Sequence, residues 1–154
     1  LNSKDFGVPQ KRERVFIVGH LRGRRTRKVF SYAGTRSEAN AGVESRMIQT
    51  RKYKSNKRDN PQEYRVYNPK GISPTLSTAQ GGGTQPHIEA KGRTRRLTPR
   101  EYWRLQGFPD YAFDQAKATG LSDRQLYKQA GNAVTVNVVK WIGERMWVEN
   151  NGRI

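Results

Sequence analysis

Apolar residues in this 154-residue chain crowd into two stretches, 1 to 20 and 97 to 148, and leave a polar middle with little to pack. Because only 33% of the residues are hydrophobic, the core is expected to be modest and the middle, from Arg22 to about Arg96, to form a surface module. The length suits one domain of ordinary size, or one lobe with a small appended module. Leu1 opens the chain in place of methionine, and the first residues read as a loop running into a strand, so a longer polypeptide is expected around this sequence.

Charge is the second constraint. Thirty Lys and Arg against thirteen Asp and Glu give a formal net charge of +17, a field that favours a polyanion as partner. Basic residues gather at Arg22, Arg24, Arg25, Arg27 and Lys28, and again at Arg51, Lys52, Lys54, Lys57 and Arg58. Nucleic acid is therefore the first candidate, ahead of a membrane surface or an acidic protein. No apolar run approaches the roughly 20 residues of a spanning helix, and no signal-peptide pattern opens the chain, so a cytoplasmic protein without membrane contact is expected. The absence of cysteine removes disulfides and thiolate metal sites together, and His20 and His87 lie too far apart for one helical face. No metal is expected.

Local patterning differs along the chain. Residues 14 to 19 are β-branched and aromatic between Pro9 and Gly19, which predicts a buried strand. Glu63 to Tyr67 alternates as a second strand, Pro69, Gly71 and Pro74 mark turns, and Gly81-Gly82-Gly83 marks a flexible loop. In the last third, Thr98, Pro99 and Glu101 form a capping box with proline at the first helical position, predicting a helix over about 99 to 106 with Gly107 as its stop. Ser122 and Gln125 repeat the capping logic for a second helix ending near Gly131. A third follows Asn132, with Val134, Val138, Trp141, Ile142 and Met146 on one face and Val136, Val139 and Trp147 on other sides, so it is expected to need burial on more than one face.

Three blocks carry a resemblance. They are Phe6-Gly7-Val8-Pro9-Gln10-Lys11-Arg12-Glu13-Arg14-Val15-Phe16-Ile17-Val18-Gly19, then Arg95 to Asp110 with its Leu105-Gln106-Gly107-Phe108-Pro109, then Gln129-Ala130-Gly131-Asn132-Ala133-Val134. In composition and order they resemble the DNA cytosine-5 methyltransferases. The resemblance implies an α/β fold: the C-terminal part of a Rossmann-like class I methyltransferase lobe, with a small, irregular, β-rich target-recognition module inserted. It divides the chain into a base-pocket block at 1–21, a target-recognition region at 22–94 and a returning helical segment at 95–154. It also implies S-adenosylmethionine as methyl donor, double-stranded DNA as substrate and a bacterial, archaeal or phage origin.

Site residues follow from the same resemblance. Alternation points Gln10, Arg12 and Arg14 to one side of the predicted strand. On an arbitrary protein they would be solvated charges, but the resemblance places Arg14 on the O2 oxygen of the target cytosine, with Arg12 and Gln10 shaping the pocket. An always-charged fork suits a base held out of the duplex by its polar edge. Asn132, Ala133 and Val134 become cofactor neighbours, although the family more often has serine where Ala133 stands. Thr75-Leu76, with Gln80, Gly81, Gly82 and Gly83, resembles the part of the recognition region that reads bases, and Arg51, Lys52 and Lys54 beside it are candidates for phosphate contact. Arg95, Thr98, Glu101, Arg104 and Gly107 are expected to be structural scaffold.

The family attacks cytosine with a cysteine thiolate, and this chain has none. A front half, joined or separate, is expected to supply the Pro-Cys nucleophile, the glycine-rich cofactor loop and a Glu-Asn-Val block. The alternative is a non-catalytic DNA-binding remnant of such an enzyme. Two coincidences carry no weight: Asp5-Phe6-Gly7 spells a kinase magnesium motif without the accompanying loops, and the triple glycine lacks a following Gly-Lys-Ser or Gly-Lys-Thr.

Overall fold

A computed structural model describes residues 1–19, 49–52, 65–79 and 85–151. Lys54, Gln80, Gly81, Gly82 and Gly83, together with the first basic cluster, lie outside these residues. Four short strands, β1 (Gln49–Lys52), β2 (Arg65–Tyr67), β3 (His87–Ala90) and β4 (Arg93–Arg96), form one mixed sheet in the order β1-β2-β3-β4. The β1–β2 and β3–β4 pairs are antiparallel and β2–β3 is parallel. The tight turn between β3 and β4 has positive φ at both Lys91 (51°) and Gly92 (71°), the handedness that matches strand twist in a two-residue hairpin.

Helices fill the last third: α1 (Pro99–Leu105), α2 (Asp110–Ala118), α3 (Asp123–Asn132) and α4 (Val136–Asn151). Both anticipated capping boxes are present, at Thr98 with Glu101 and at Ser122 with Gln125. Gly107 does follow α1 at φ 80°, and a side chain there would collide with Asn137, whose Oδ1 would lie 2.6 Å from an added Cβ. The core is built where α1 and α3 pack, from Leu76, Ile88, Leu97, Tyr102, Trp103, Phe113, Leu126 and Ala130. The Trp103 indole N–H donates to the Leu126 carbonyl at 3.0 Å, so the largest core residue buries no unpaired donor.

The structure departs from these expectations in several places. Residues 14–19 form no strand: beyond Arg14 the chain has no ladder partner among the described residues, and Val15 and Ile17 are 90% and 95% exposed. A strand is defined by its neighbour, and apolar alternation alone cannot supply one. Second, α2 went unread, because Pro109 caps it without a side-chain hydrogen bond and only Phe113 is buried. Helix α3 ends at Asn132, near Gly131 as the sequence implied, and the lack of a side chain at Gly131 also serves close approach. Val134 also sits in the link before α4, and Val139 is half exposed, so the apolar face is narrower than the sequence pattern implied.

The expected scaffold side chains fall into two hydrogen-bonded groups, Arg95 and Thr98 with Glu101, and Arg104 with Asp110. Arg95 grips Glu101 through both carboxylate oxygens, at 2.8 and 2.7 Å, while the Thr98 backbone N–H donates to the same carboxylate at 2.7 Å. Arg104 pairs with Asp110 (Nε to Oδ1, 2.8 Å), and Arg100 pairs with Asp114 and lies over the Phe113 ring. Hydrogen bonding from Arg95 lowers the Glu101 pKa from 4.5 to about 2, against partial burial and helped by Thr98. A depressed carboxylate adds stability above its unfolded pKa and loses it as pH falls through the folded value. Glu101→Gln is therefore expected to cost about 1 kcal/mol at neutral pH, discounted for a pair near the surface. The difference between variant and parent in chemical unfolding should vanish as pH drops from about 4.5 to about 2. A pH-independent difference would remove the ion pair from the account.

Candidate functional site

The sequence blocks meet around residues 10–14. The Gln10 backbone forms a parallel bridge to Ser73, with Lys11 N–H donating to the Ser73 carbonyl at 2.9 Å and Ser73 N–H to the Pro9 carbonyl at 2.8 Å. Thr75 adds its hydroxyl to the Lys11 carbonyl at 2.6 Å. The amino end is threaded into the same place: Asn2 caps a single turn of 3-10 helix at Ser3–Phe6 and bridges to Glu13, and the Arg12 N–H donates to the Asn2 side chain at 3.1 Å. That turn absorbs Asp5-Phe6-Gly7, with the Phe6 ring edge-on to Trp141 at 5.4 Å.

Gln10, Arg12 and Arg14 do not share one environment. Gln10 is fully buried, its side-chain N–H donating to the Leu105 carbonyl at 3.1 Å. Arg12 is only 5% exposed, and its guanidinium donates to three backbone carbonyls: Leu76 (3.3 Å), Gly131 (2.9 Å) and Ala133 (3.0 Å). Burial, and then repulsion by Arg14, lower its pKa, yet a guanidinium stays charged, and three carbonyl dipoles compensate it. Arg14, by contrast, is exposed, and among the described residues its guanidinium donates to the Glu13 carbonyl at 2.6 Å. Two main-chain bonds with Leu1, at 3.0 and 2.9 Å, hold its backbone in place.

Arg14 borders two spaces. One is an open cleft of about 280 Å³ lined by Lys11, Glu13, Arg14, Pro74 and Thr75, near the lower end of small-ligand sites at about 300 Å³. The other is a small, partly open void of about 10 Å³ between Arg12, Arg14, Val134 and Thr135, with room for about one water.

The cofactor candidates lie beside Arg12, which donates to the Ala133 carbonyl. Ala133 is half-buried, while Asn132 and Val134 are exposed, Val134 by 48%. An exposed amide beside an exposed apolar side chain fits one wall of a nucleoside site, whereas the void beside Val134 is far too small for the whole group. Leu76, expected at the DNA surface, has its side chain in the core at 2% exposure, and what it offers the site is its carbonyl. Thr75 alone of that pair is exposed. For Arg51 and Lys52, in β1, only the backbone is described.

A second cluster had no sequence signal. The buried Thr135 hydroxyl lies 2.7 Å from that of Ser3 and donates to the Gln106 side chain at 3.1 Å, while the Val136 N–H donates to the Gln106 carbonyl at 2.9 Å. These contacts join positions up to 132 apart in sequence, beyond any local pattern. Thr135, just before the apolar run of α4, is the one member a helix-start signal could have flagged.

A family model for the C-5 cytosine-specific DNA methylases matches residues 1–68 and 32–147, nearly the whole chain. This chain belongs to that family. Among curated methylases, the type II methyltransferase M.Bsp6I of Bacillus sp. (strain RFL6) is 30% identical over 173 aligned positions, covering 96% of this chain and 53% of the relative. The type II methyltransferase M.HpaII of Haemophilus parainfluenzae is 29% identical, covering 95% and 49%. The orphan methyltransferase M.SPBetaI of Bacillus phage SPbeta is 34% identical over 129 positions, covering 53% and 29%. The methylase chain described here thus spans about half the length of these curated relatives, or less. In fold it is similar to the S. pombe Dnmt2 methyltransferase, with a TM-score of 0.60 at 16% identity, covering 98% of this chain and 55% of that one. The fold is therefore α/β and that of a Rossmann-like methyltransferase, as the sequence blocks implied. Among the described residues no helix is long and apolar enough to cross a membrane, and no cluster of ligating side chains could hold a metal.

Proposed function

We propose that this chain is the part of a DNA (cytosine-5) methyltransferase that reads the target and completes the base and cofactor pockets. The observation that carries the proposal is the meeting at Arg12 of the three segments such an enzyme needs: the arginine block, the Thr75-Leu76 segment and the Gly131–Ala133 link. The open cleft beside Arg14 takes the extruded cytosine, and the guanidinium donates to its polar edge, where negative charge gathers as the ring is attacked. Lys11 and Thr75 border the same cleft, so reading of flanking DNA and holding of the base share one rim. Asn132 and Val134 contribute one wall for S-adenosylmethionine, which supplies the methyl group when bound. The division into a base-pocket block (1–21), a target-recognition region (22–94) and a returning helical segment (95–154) stands as part of this proposal.

The nucleophile must come from a polypeptide that carries a cysteine, since no residue here provides a thiolate. Labelled S-adenosylmethionine and duplex DNA test the proposal: chain and cysteine-bearing half together methylate cytosine. An assembly that binds duplex yet never transfers a methyl group would instead mark a binding remnant.

DNA affinity is expected to be largely electrostatic. Each phosphate neutralised by Lys or Arg adds about 0.9 to the slope of log affinity against log salt, so a protein of net charge +17 should show a steep titration. Alanine at Arg51, Lys52 and Lys54 should weaken all sequences alike, whereas changes at Thr75 or Gln80 should alter preference among sequences. A flat salt titration would contradict the electrostatic reading.

A further inference from the structure

Arg12 has a second consequence, which rests on the proposed function but goes beyond it. Its guanidinium is the shared partner of two segments assigned to different ligands: the Leu76 carbonyl belongs to the segment that reads DNA, and the Gly131 and Ala133 carbonyls to the segment that walls the cofactor. The same two segments also touch directly, without a side chain between them. A Cβ added at Gly131 would lie 2.5 Å from the Ser77 carbonyl oxygen and 2.6 Å from the Thr78 Cα, both backbone atoms that cannot rotate away. The Ser77–Thr78 backbone therefore cannot move relative to the end of α3 without disturbing it.

We infer that Arg12 is a positioning residue that couples target-DNA binding to cofactor binding, by holding the Leu76 and Gly131–Ala133 backbones in one arrangement. Arg12 is buried and its guanidinium donates to backbone carbonyls, so on this inference it acts through the carbonyls it orients. A ligand that orders one segment spares the other ligand part of its ordering cost, and by linkage the effect is mutual. Lysine in its place keeps the charge but loses the planar fork that reaches both sides, so coupling should weaken more than affinity for either ligand alone.

The test uses the chain assembled with its cysteine-bearing half, S-adenosylhomocysteine as a cofactor probe that cannot turn over, and duplexes with and without the target site. In the parent protein, saturating target duplex should tighten the probe by about fivefold or more, and the probe should tighten the duplex by the same factor. In Arg12→Lys that factor should fall towards one, with each affinity measured alone changing by less than the factor lost. Equal probe affinity with and without target duplex in the parent would overturn the inference, as would undiminished coupling in Arg12→Lys. Should Arg12→Lys fail to fold, Gly131→Ala disturbs the same junction from α3: reduced coupling supports the inference and unchanged coupling overturns it. An assembly that binds neither probe nor duplex defeats the proposed function itself, whereas one that binds and methylates without coupling defeats only this inference.

Discussion

Arg14→Ala, in the assembled methyltransferase, is expected to lower turnover by about 10² to 10³-fold, as for other lost donors to a developing oxyanion, while duplex affinity changes far less. Arg14 is exposed, borders the cleft, and spends one hydrogen bond on the Glu13 carbonyl, so most of its fork is free to donate to a base. Its backbone is held by paired bonds to Leu1, and removing the side chain should leave the local fold intact. An interaction made mainly as charge develops on the ring appears in kcat rather than in ground-state binding. Lysine should rescue poorly, because a compact ammonium lacks the planar fork. Single-turnover methyl transfer at saturating duplex makes the measurement. Equal rates for parent and variant would take Arg14 out of the base pocket.

Arg12 and Arg14 are two residues apart, and nothing local in the sequence distinguishes them. What separates them is where the carbonyl partners come from among the described residues: positions 76, 131 and 133 surround Arg12, while Arg14 donates to its neighbour at position 13. Features settled within a few residues were legible. The capping boxes at Thr98 and Ser122 and the glycine after α1 each act over one helical turn, and each stands where the sequence implied. The β3–β4 hairpin was harder to read, because a positive φ at Lys91 uses a residue that seldom signals such a turn. Helix α2 was hidden for a similar reason, as its one buried residue, Phe113, packs against Trp103 at 5.7 Å and the rest of its core-facing side is two alanines, Ala112 and Ala116, which give a weak apolar signal. The extended run after Arg14 failed as a strand because pairing depends on what lies beside it.

The largest effect follows from the missing thiol. Cytosine C5 is a poor nucleophile until a thiolate adds at C6, and a chain without cysteine cannot supply one. Methylation by this chain alone should therefore be absent at any DNA or cofactor concentration. Adding a polypeptide that carries the cysteine and the cofactor loop should restore it. Exposed Val15, Ile17 and Val134 give such a partner apolar surface to cover, and the wall proposed at Asn132 and Val134 needs the rest of a cofactor site brought against it. The direct measurement is transfer of label from S-adenosylmethionine to duplex DNA, with the purified chain alone and with the chain plus its cysteine-bearing half, the label then located on the base. The account predicts no incorporation in the first case and C5-methylcytosine in the second. C5-methylcytosine formed by the purified chain alone would contradict it.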